Sequence, residues 1–466
     1  MTDMHIGGAW HATRSTDSVP IVDPSTEEVI GQVAEALPED ADRAVAAAQA
    51  AAGPMRRTGA EERAAALDRL ADYIEQNAGP FGEAISREMG MPRHLVGEWQ
   101  IEPAVDLVRG TAKALREFRF ESMIESTKVL RVPVGIAVAI TPWNYPLLQI
   151  AAKIAPAVAA GAPVILKPSE SPPLSARLFA DAMAGLGLPD GAFGMVTGTG
   201  PRVGEYLVRH PAVDMVSLTG STRAGSRVAG LLAERVARVS LELGGKSACL
   251  ALPDADMPAA AASALSTVMF NSGQTCTALS RLLVPSKRQD EAGEVLRALA
   301  GTYRVGPSTE EVEVGPLANR LQAERVRAAV AAGGTEPVWQ YEQERLPAKG
   351  YFVAPRVVLA RDPSSPLAQE EVFGPVLTVL PYTDEDDAIR IANDSRYGLA
   401  GEVWAADEAH GVCVAARLET GMVTVNGAVQ SMLAPFGGRK QSGYGREYGH
   451  AGIEEFTEIM TIATGG

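Results

Sequence analysis

The chain carries three cysteines, and one of them stands in a setting suited to nucleophilic chemistry. Cys276 lies in Phe270-Asn271-Ser272-Gly273-Gln274-Thr275-Cys276-Thr277, whereas Cys249 and Cys413 fall within apolar runs. A thiol flanked by Gln and Thr just past a helix-breaking Gly is placed to react, while a cysteine among Ala, Leu and Val behaves as a small buried hydrophobe. Spacing alone also admits a structural role, because a lone cysteine is a weak signal.

Other groups capable of chemistry fall where apolar runs stop. Asn144 follows one such run in Thr141-Pro142-Trp143-Asn144-Tyr145-Pro146, Lys167 and Glu170 follow a second in Lys167-Pro168-Ser169-Glu170, and Glu242 closes a fourth. The third ends in Thr219-Gly220-Ser221-Thr222-Arg223-Ala224-Gly225. Glycines and hydroxyls between a strand and a helix N-terminus favour phosphate, through free backbone N–H groups and the helix dipole. An ammonium and a carboxylate such as Lys167 and Glu170 can both hydrogen-bond ribose hydroxyls, and the carboxylate would repel a 2′-phosphate, so NAD is expected and NADP remains compatible. Glu242 follows Val, Ser and Leu, surroundings that raise a carboxylate's pKa and make it a better base near neutrality. Taken singly each residue has an ordinary reading: Asn144 as a turn former, Lys167 and Glu170 as a solvated pair, Ser221 as a helix cap, Glu242 as a solvated strand end. A second glycine motif, Gly198-Thr199-Gly200-Pro201-Arg202-Val203-Gly204, has one residue too many for the dinucleotide fingerprint and reads as a loop leading into a helix over 203–209. The six histidines fall largely at expected surface turns, so no Ser/His/Asp triad competes.

These groups must be positioned by an α/β framework. Ala-rich helical segments over 40–52, 60–77 and 255–271 alternate with short Val/Ile/Leu runs bounded by Gly and Pro, which predicts largely parallel sheets. In the middle of the chain strands are expected over 134–140, 163–166, 213–218 and 239–243, with helices over 147–160 and 175–186. In open α/β sheets ligands bind beyond the carboxyl ends of the strands, so Asn144, Lys167, Glu170, Ser221 and Glu242 could face one site. The longest loop candidate is 334–351.

Composition bounds the rest. A chain of 466 residues supports about three domains of ~150 residues or two larger ones. Three cysteines cannot form a disulfide framework, and their spacing matches no zinc pattern, so a reducing compartment and no metal are expected. With 42 basic against 57 acidic residues the net charge is −15, which argues against nucleic acid as a partner. The start lacks the basic and apolar regions of a secretory signal, and no run of ~18 apolar residues occurs, so a soluble, cytoplasmic protein without membrane partners is expected.

Seven segments, in order, resemble the aldehyde dehydrogenase superfamily over nearly the whole chain. They are Trp143-Asn144-Tyr145-Pro146, Lys167-Pro168-Ser169-Glu170, Thr219-Gly220-Ser221-Thr222, Leu241-Glu242-Leu243-Gly244-Gly245-Lys246-Ser247, Gly273-Gln274-Thr275-Cys276, Glu371-Val372-Phe373-Gly374-Pro375 and Pro435-Phe436-Gly437-Gly438-Arg439-Lys440-Gln441-Ser442-Gly443. The resemblance implies a Rossmann-like dinucleotide-binding domain (1–115 and 134–244), an α/β catalytic domain (245–440) and a small β oligomerisation element with the C-terminal tail (116–133 and 441–466), in a homodimer or homotetramer. It implies oxidation of a small-molecule aldehyde with NAD(P). Cys276 is then the nucleophile, Asn144 with the Cys276 backbone N–H the oxyanion donors, and Glu242 the base that activates water. Lys167 and Glu170 go to the adenosine ribose, Ser221 to the pyrophosphate, Glu371 to the nicotinamide ribose and Phe373 to the nicotinamide. Thr141, Trp143, Ser169, Gly220, Gly225 and Leu243 join the cofactor contacts, and Lys153 matches a lysine often found near the catalytic glutamate.

Departures bear on substrate. Ala152 stands where some relatives carry a large aromatic residue, and Arg439 replaces an apolar or aromatic one. A wider pocket lined by Tyr145, Thr275, Thr277 and residues 427–436 is expected, for a medium or bulky, largely uncharged aldehyde. Acyl transfer to coenzyme A is the alternative reaction, and Glu242 argues against it because relatives of that type commonly lack this glutamate. A non-catalytic protein retaining the fold is a further alternative, disfavoured by intact Cys276, Glu242 and Asn144.

Overall fold

The computed structural model describes residues 4–170, 173–333 and 335–464; Gly334, the first residue of the expected 334–351 loop, lies outside them. An eight-stranded sheet is built around five parallel strands in the spatial order Phe193–Met195, Val164–Lys167, Ala137–Ile140, Met215–Thr219, Arg238–Glu242. Register sets Ile140 beside Lys167 and Thr219 beside Glu242, so the strand ends marked in the sequence do lie along one edge. The antiparallel pair Met4–Ile6 and Ala9–His11 closes one side. On the other, Gly443–Tyr444 returns from late in the chain to pair with Leu241 and Glu242.

The helix Pro146–Ala160 packs behind this sheet, and each of its residues is buried. Pro146 opens it, where no N–H is needed, and Gly161 ends it at φ 82°, a left-handed turn that glycine adopts without Cβ strain. Apolar faces of the helices Ala60–Gln76 and Glu102–Glu117 cover it, and Lys153, which it carries, is fully buried.

A seven-stranded sheet holds six parallel strands, Arg356–Leu359, Val376–Tyr382, Arg281–Pro285, Ala248–Ala251, Ala400–Trp404 and Met422–Val425, with Glu336–Gln340 antiparallel at the edge. A three-stranded antiparallel sheet joins Glu121–Ile124, Thr127–Pro133 and Thr457–Ala463, and leaves Met123, Ile124, Ile459 and Met460 exposed. Among the described residues no helix is long and apolar enough to cross a membrane.

Four local expectations are corrected. The 334–351 stretch is not one loop: it contains the strand Glu336–Gln340 and a turn at Gln343–Arg345, because a half-exposed edge strand needs no apolar run to pair. His5 is not at a surface turn but buried in Met4–Ile6 against Trp10 and Phe193. Cys413 is exposed on the helix Glu408–Ala415, since its apolar run wraps around a helix only part of which faces the core. The helix expected over 203–209 opens with a wide turn, Gly200–Gly204, and is α-helical from Glu205 to Arg209.

Candidate active site

The loop that presents Cys276 is held in an unusual backbone path. After the helix Met257–Met269 the chain passes through Asn271 (φ 48°), Ser272 (φ 54°) and Gly273 (φ 73°), three left-handed residues in succession. A left-handed non-glycine residue costs ~1–3 kcal/mol, so neighbours must enforce it. Asn271 Nδ2 donates to the Asn144 carbonyl (3.0 Å), Ser272 Oγ to the Gly315 carbonyl (2.8 Å), and Gln274 Nε2 to the Asn271 carbonyl (3.1 Å), while Gln274 Oε1 accepts from the Ala318 N–H (2.9 Å). At Gly273 any side chain would collide with the backbone of Gly374 and Pro375, so this loop and the Glu371–Pro375 segment are packed main chain to main chain. Asn144 Nδ2 donates to the Gln274 carbonyl (2.9 Å), two residues before the thiol. An amide nitrogen has two hydrogens, which leaves one for a ligand.

Two clefts open on Cys276, and among the described residues it is the one residue that lines both. The smaller, about 320 Å³, is bounded by Trp143 and Asn144, by Thr219, Gly220 and Ser221, by Leu243 and Gly244, and by Glu371 and Phe373. Eight sequence-expected residues therefore come together here: Cys276, Asn144, Trp143, Gly220, Ser221, Leu243, Glu371 and Phe373. Ser221 Oγ accepts from the Ala224 N–H (3.3 Å) and caps Thr222–Ala233, so the ordinary reading of Ser221 holds alongside its place in the cleft. Thr219 Oγ1 is buried without a hydrogen-bond partner. Glu371 accepts the Gly245 N–H (3.0 Å), and burial pushes its carboxyl up to about 7. Gly244 passes so close to the Glu371 carboxylate that a Cβ there would meet it.

Thr141, Lys167, Ser169, Glu170 and Gly225 are not among the residues that line this cleft. Lys167 is buried and pairs with Glu170 at 3.3 Å, so the pair is not simply solvated; burial lowers the Lys167 pKa. Ser169 is partly buried between them, and Thr141 is buried with Oγ1 unpartnered. Gly225 lies under Leu243, where a Cβ would come within 2.7 Å of its methyl groups. Three lining residues were missed, Gln322, Arg325 and Ala329 on the helix Arg320–Ala331. Gln322 Nε2 donates to the Phe373 carbonyl (2.8 Å), a tertiary contact with no local sequence signal.

Electrostatics around the thiol are acidic. Burial pushes Cys276 up to about 12, and the charges of Glu371 and Glu242 add to the rise. Glu242 is buried with both carboxylate oxygens unpartnered, which corrects the solvated reading; burial first and the Glu447 charge second raise it well above the ordinary range, while Lys153 and Arg446 oppose. Lys153 Nζ donates to Glu447 Oε1 (2.6 Å) and to Ser217 Oγ (3.1 Å), both within the interior. Lys153 thus joins the Glu242 surroundings through a second glutamate that sequence reading did not mark.

The larger cleft, about 620 Å³, is mostly apolar, with Trp99, Leu148, Phe270 and Leu279 among its walls. Tyr145, Thr275, Thr277 and the stretch 427–432 with Phe436 line it, as expected. Tyr145 Oη and Thr275 Oγ1 share a 2.6 Å hydrogen bond. Ala152 and Arg439 are not part of its wall: Ala152 is buried inside its helix and Arg439 is exposed in a strand paired with Gly398, so neither sets the width.

Comparison with known proteins identifies the family. The model of the aldehyde dehydrogenase family matches residues 10–462. A 3-succinoylsemialdehyde-pyridine dehydrogenase from a Pseudomonas species is 41% identical over 466 residues, 99% of this chain and 98% of the relative. Among solved structures, a mutant aldehyde dehydrogenase C from Pseudomonas syringae complexed with NAD+ and octanal superposes with a TM-score of 0.97 at 41% identity, covering 99% of this chain and 96% of that one. An NAD+ complex of a Mycobacterium tuberculosis aldehyde dehydrogenase gives 0.96 at 36% identity, covering 100% and 98%. The chain belongs to the aldehyde dehydrogenase family.

Proposed function

From this family membership we propose that the protein oxidises an aldehyde to the carboxylic acid with NAD as hydride acceptor, through a thioester on Cys276. The observation that carries the reading is the meeting of two clefts at one thiol. The smaller cleft fits a dinucleotide: a capped helix N-terminus, an unpartnered Thr219 hydroxyl, and a glycine at 220 that keeps the wall open to backbone approach. Ser221 and Gly220 would hold the pyrophosphate, Lys167 and Glu170 the adenosine ribose, Glu371 the nicotinamide ribose, with Trp143 and Phe373 against the ring. Bound there, NAD supplies the hydride acceptor.

With its proton released to solvent, Cys276 Sγ forms a bond to the aldehyde carbon as the thiolate while the carbonyl π electrons move to oxygen. The free Asn144 amide N–H and the Cys276 backbone N–H donate to that oxyanion, an arrangement that acts where charge develops. Loss of hydride leaves the thioester. Glu242 then takes a proton from water, the water oxygen adds to the thioester carbon, and collapse releases the acid and the Cys276 thiolate. A buried carboxylate with unpartnered oxygens suits this proton transfer. The same carboxylate favours hydrolysis over transfer to coenzyme A. We assign the eight-stranded sheet to the cofactor, the seven-stranded sheet to catalysis and the three-stranded sheet to self-association as a dimer or tetramer.

Octanal, the aldehyde bound by the Pseudomonas syringae relative, is a suitable probe with NAD. Growth of NADH absorbance with stoichiometric octanoate, unchanged by added coenzyme A, is the expected result. Octanoyl-coenzyme A as product would favour acyl transfer, and no NADH from octanal or any other aldehyde would exclude the reading.

A further inference from the structure

The larger cleft contains a carboxylate that the proposed reaction does not use. Glu402 sits at the centre of the strand Ala400–Trp404, flanked on both sides, with Cys249 and Thr424 as its register partners. It is 3% exposed and lines the same cavity as Cys276. Its hydrogen-bond partners among the described residues are all neutral. Ser263 Oγ (2.6 Å) and Cys249 Sγ (3.6 Å) donate to Oε2, and Thr424 Oγ1 approaches Oε1 at 3.4 Å. A buried carboxylate is costly unless its lone pairs are satisfied, and Oε1 holds only that one long contact. A second acceptor in the same wall, Gln149 Oε1, is buried with no partner. A mostly apolar cavity whose wall holds one unpartnered acceptor and a carboxylate oxygen with a single long contact suits a ligand that brings a donor.

Its reach from the thiol follows from the chain path. A Cβ built on Gly245 would lie 2.6 Å from the Cys276 carbonyl oxygen and 3.2 Å from Leu399 Cβ, so Leu399 stands beside the nucleophile's backbone. Glu402 is three residues further along, roughly 10 Å at strand rise. We propose that Glu402 determines substrate choice, accepting a hydrogen bond from a hydroxyl or amine at the end of the aldehyde chain remote from the carbonyl. This rests on the aldehyde-oxidising reading and refines the largely uncharged substrate expected from sequence.

The test compares kcat/KM for 6-hydroxyhexanal and for heptanal, which has a methyl in place of the hydroxyl, with propanal as a substrate too short to reach Glu402. Wild type should favour 6-hydroxyhexanal, and Glu402→Leu should lower that ratio by about tenfold while leaving propanal unchanged. Glu402→Gln, which keeps an acceptor oxygen, should lower it by about threefold and carries the comparison if the leucine variant loses propanal turnover. A ratio that is the same in wild type and variants, or a wild-type preference for heptanal, overturns the proposal. Absence of NADH from every aldehyde, propanal included, would instead bring down the parent reading and this one with it.

Discussion

Asn144 Nδ2 lies 2.9 Å from the Gln274 carbonyl oxygen, so the side chain that follows one sheet's strand is anchored to the loop that carries the thiol. One bond thereby fixes both the donor and its distance from Cys276. Replacing Asn144 with Ala should reduce kcat by about 100-fold or more, an oxyanion-donor loss of ~3 kcal/mol. Steady-state kinetics check it, with circular dichroism to establish that the fold persists; a fall of less than fivefold would remove Asn144 from the reaction.

Without cofactor, Cys276 should be a slow nucleophile at neutral pH. A thiol pushed up to about 12 is deprotonated in only about one molecule in 10⁵ at pH 7. Its alkylation by iodoacetamide, followed by peptide mass spectrometry, should rise about tenfold per pH unit from 7 to 10. NAD+ should accelerate it, because a positive charge near the sulfur favours the thiolate. The exposed Cys413 serves as internal reference.

Glu242 must be ionised to act as base, so turnover should fall as pH drops through its raised pKa. Because burial lifts that carboxyl well above 4.5, the decline should begin nearer neutrality than for an exposed glutamate. Glu242→Gln should abolish this limb and leave a single stoichiometric burst of NADH without steady-state acid. Multiple turnovers at the wild-type rate would show that another group activates water.

Lys153 and Glu447 form a buried ion pair at 2.6 Å. Removing one partner strands the other charge in the interior, so Lys153→Met should cost ~3–5 kcal/mol in urea unfolding, and the double variant Lys153→Met with Glu447→Leu should recover much of it. A double-variant loss equal to the sum of the Lys153→Met and Glu447→Leu losses would mean that the two groups do not interact.

The three-stranded sheet exposes Ile459 and Met460 side by side in sequence. Light scattering should give a dimer or tetramer for the wild type, and Ile459→Glu should lower the mass with NADH formation retained at the monomer's own rate.

How far sequence reached depended on whether a signal was local. Strand ends, glycines and the motif residues of the smaller cleft lie within short segments, so Asn144 and Ser221 were legible from the parallel-sheet rule, and Glu371 and Cys276 joined them through the family resemblance. Gln322 and Glu447 were not legible. Each acts through a contact with a residue 51 or 294 positions away, and no periodicity records such a pairing. Glu402 was hidden differently: a single acid in an apolar strand has no partner in sequence to explain it, and only the cavity beside it does. The edge strand Glu336–Gln340 passed as loop because its side chains are half exposed on both faces.

Since a lone sulfur is the shared wall between the two chambers, a compound need not imitate both occupants to silence the protein. An electrophile shaped for either chamber alone arrives at the same atom, and resistance by altering one chamber leaves the other approach open.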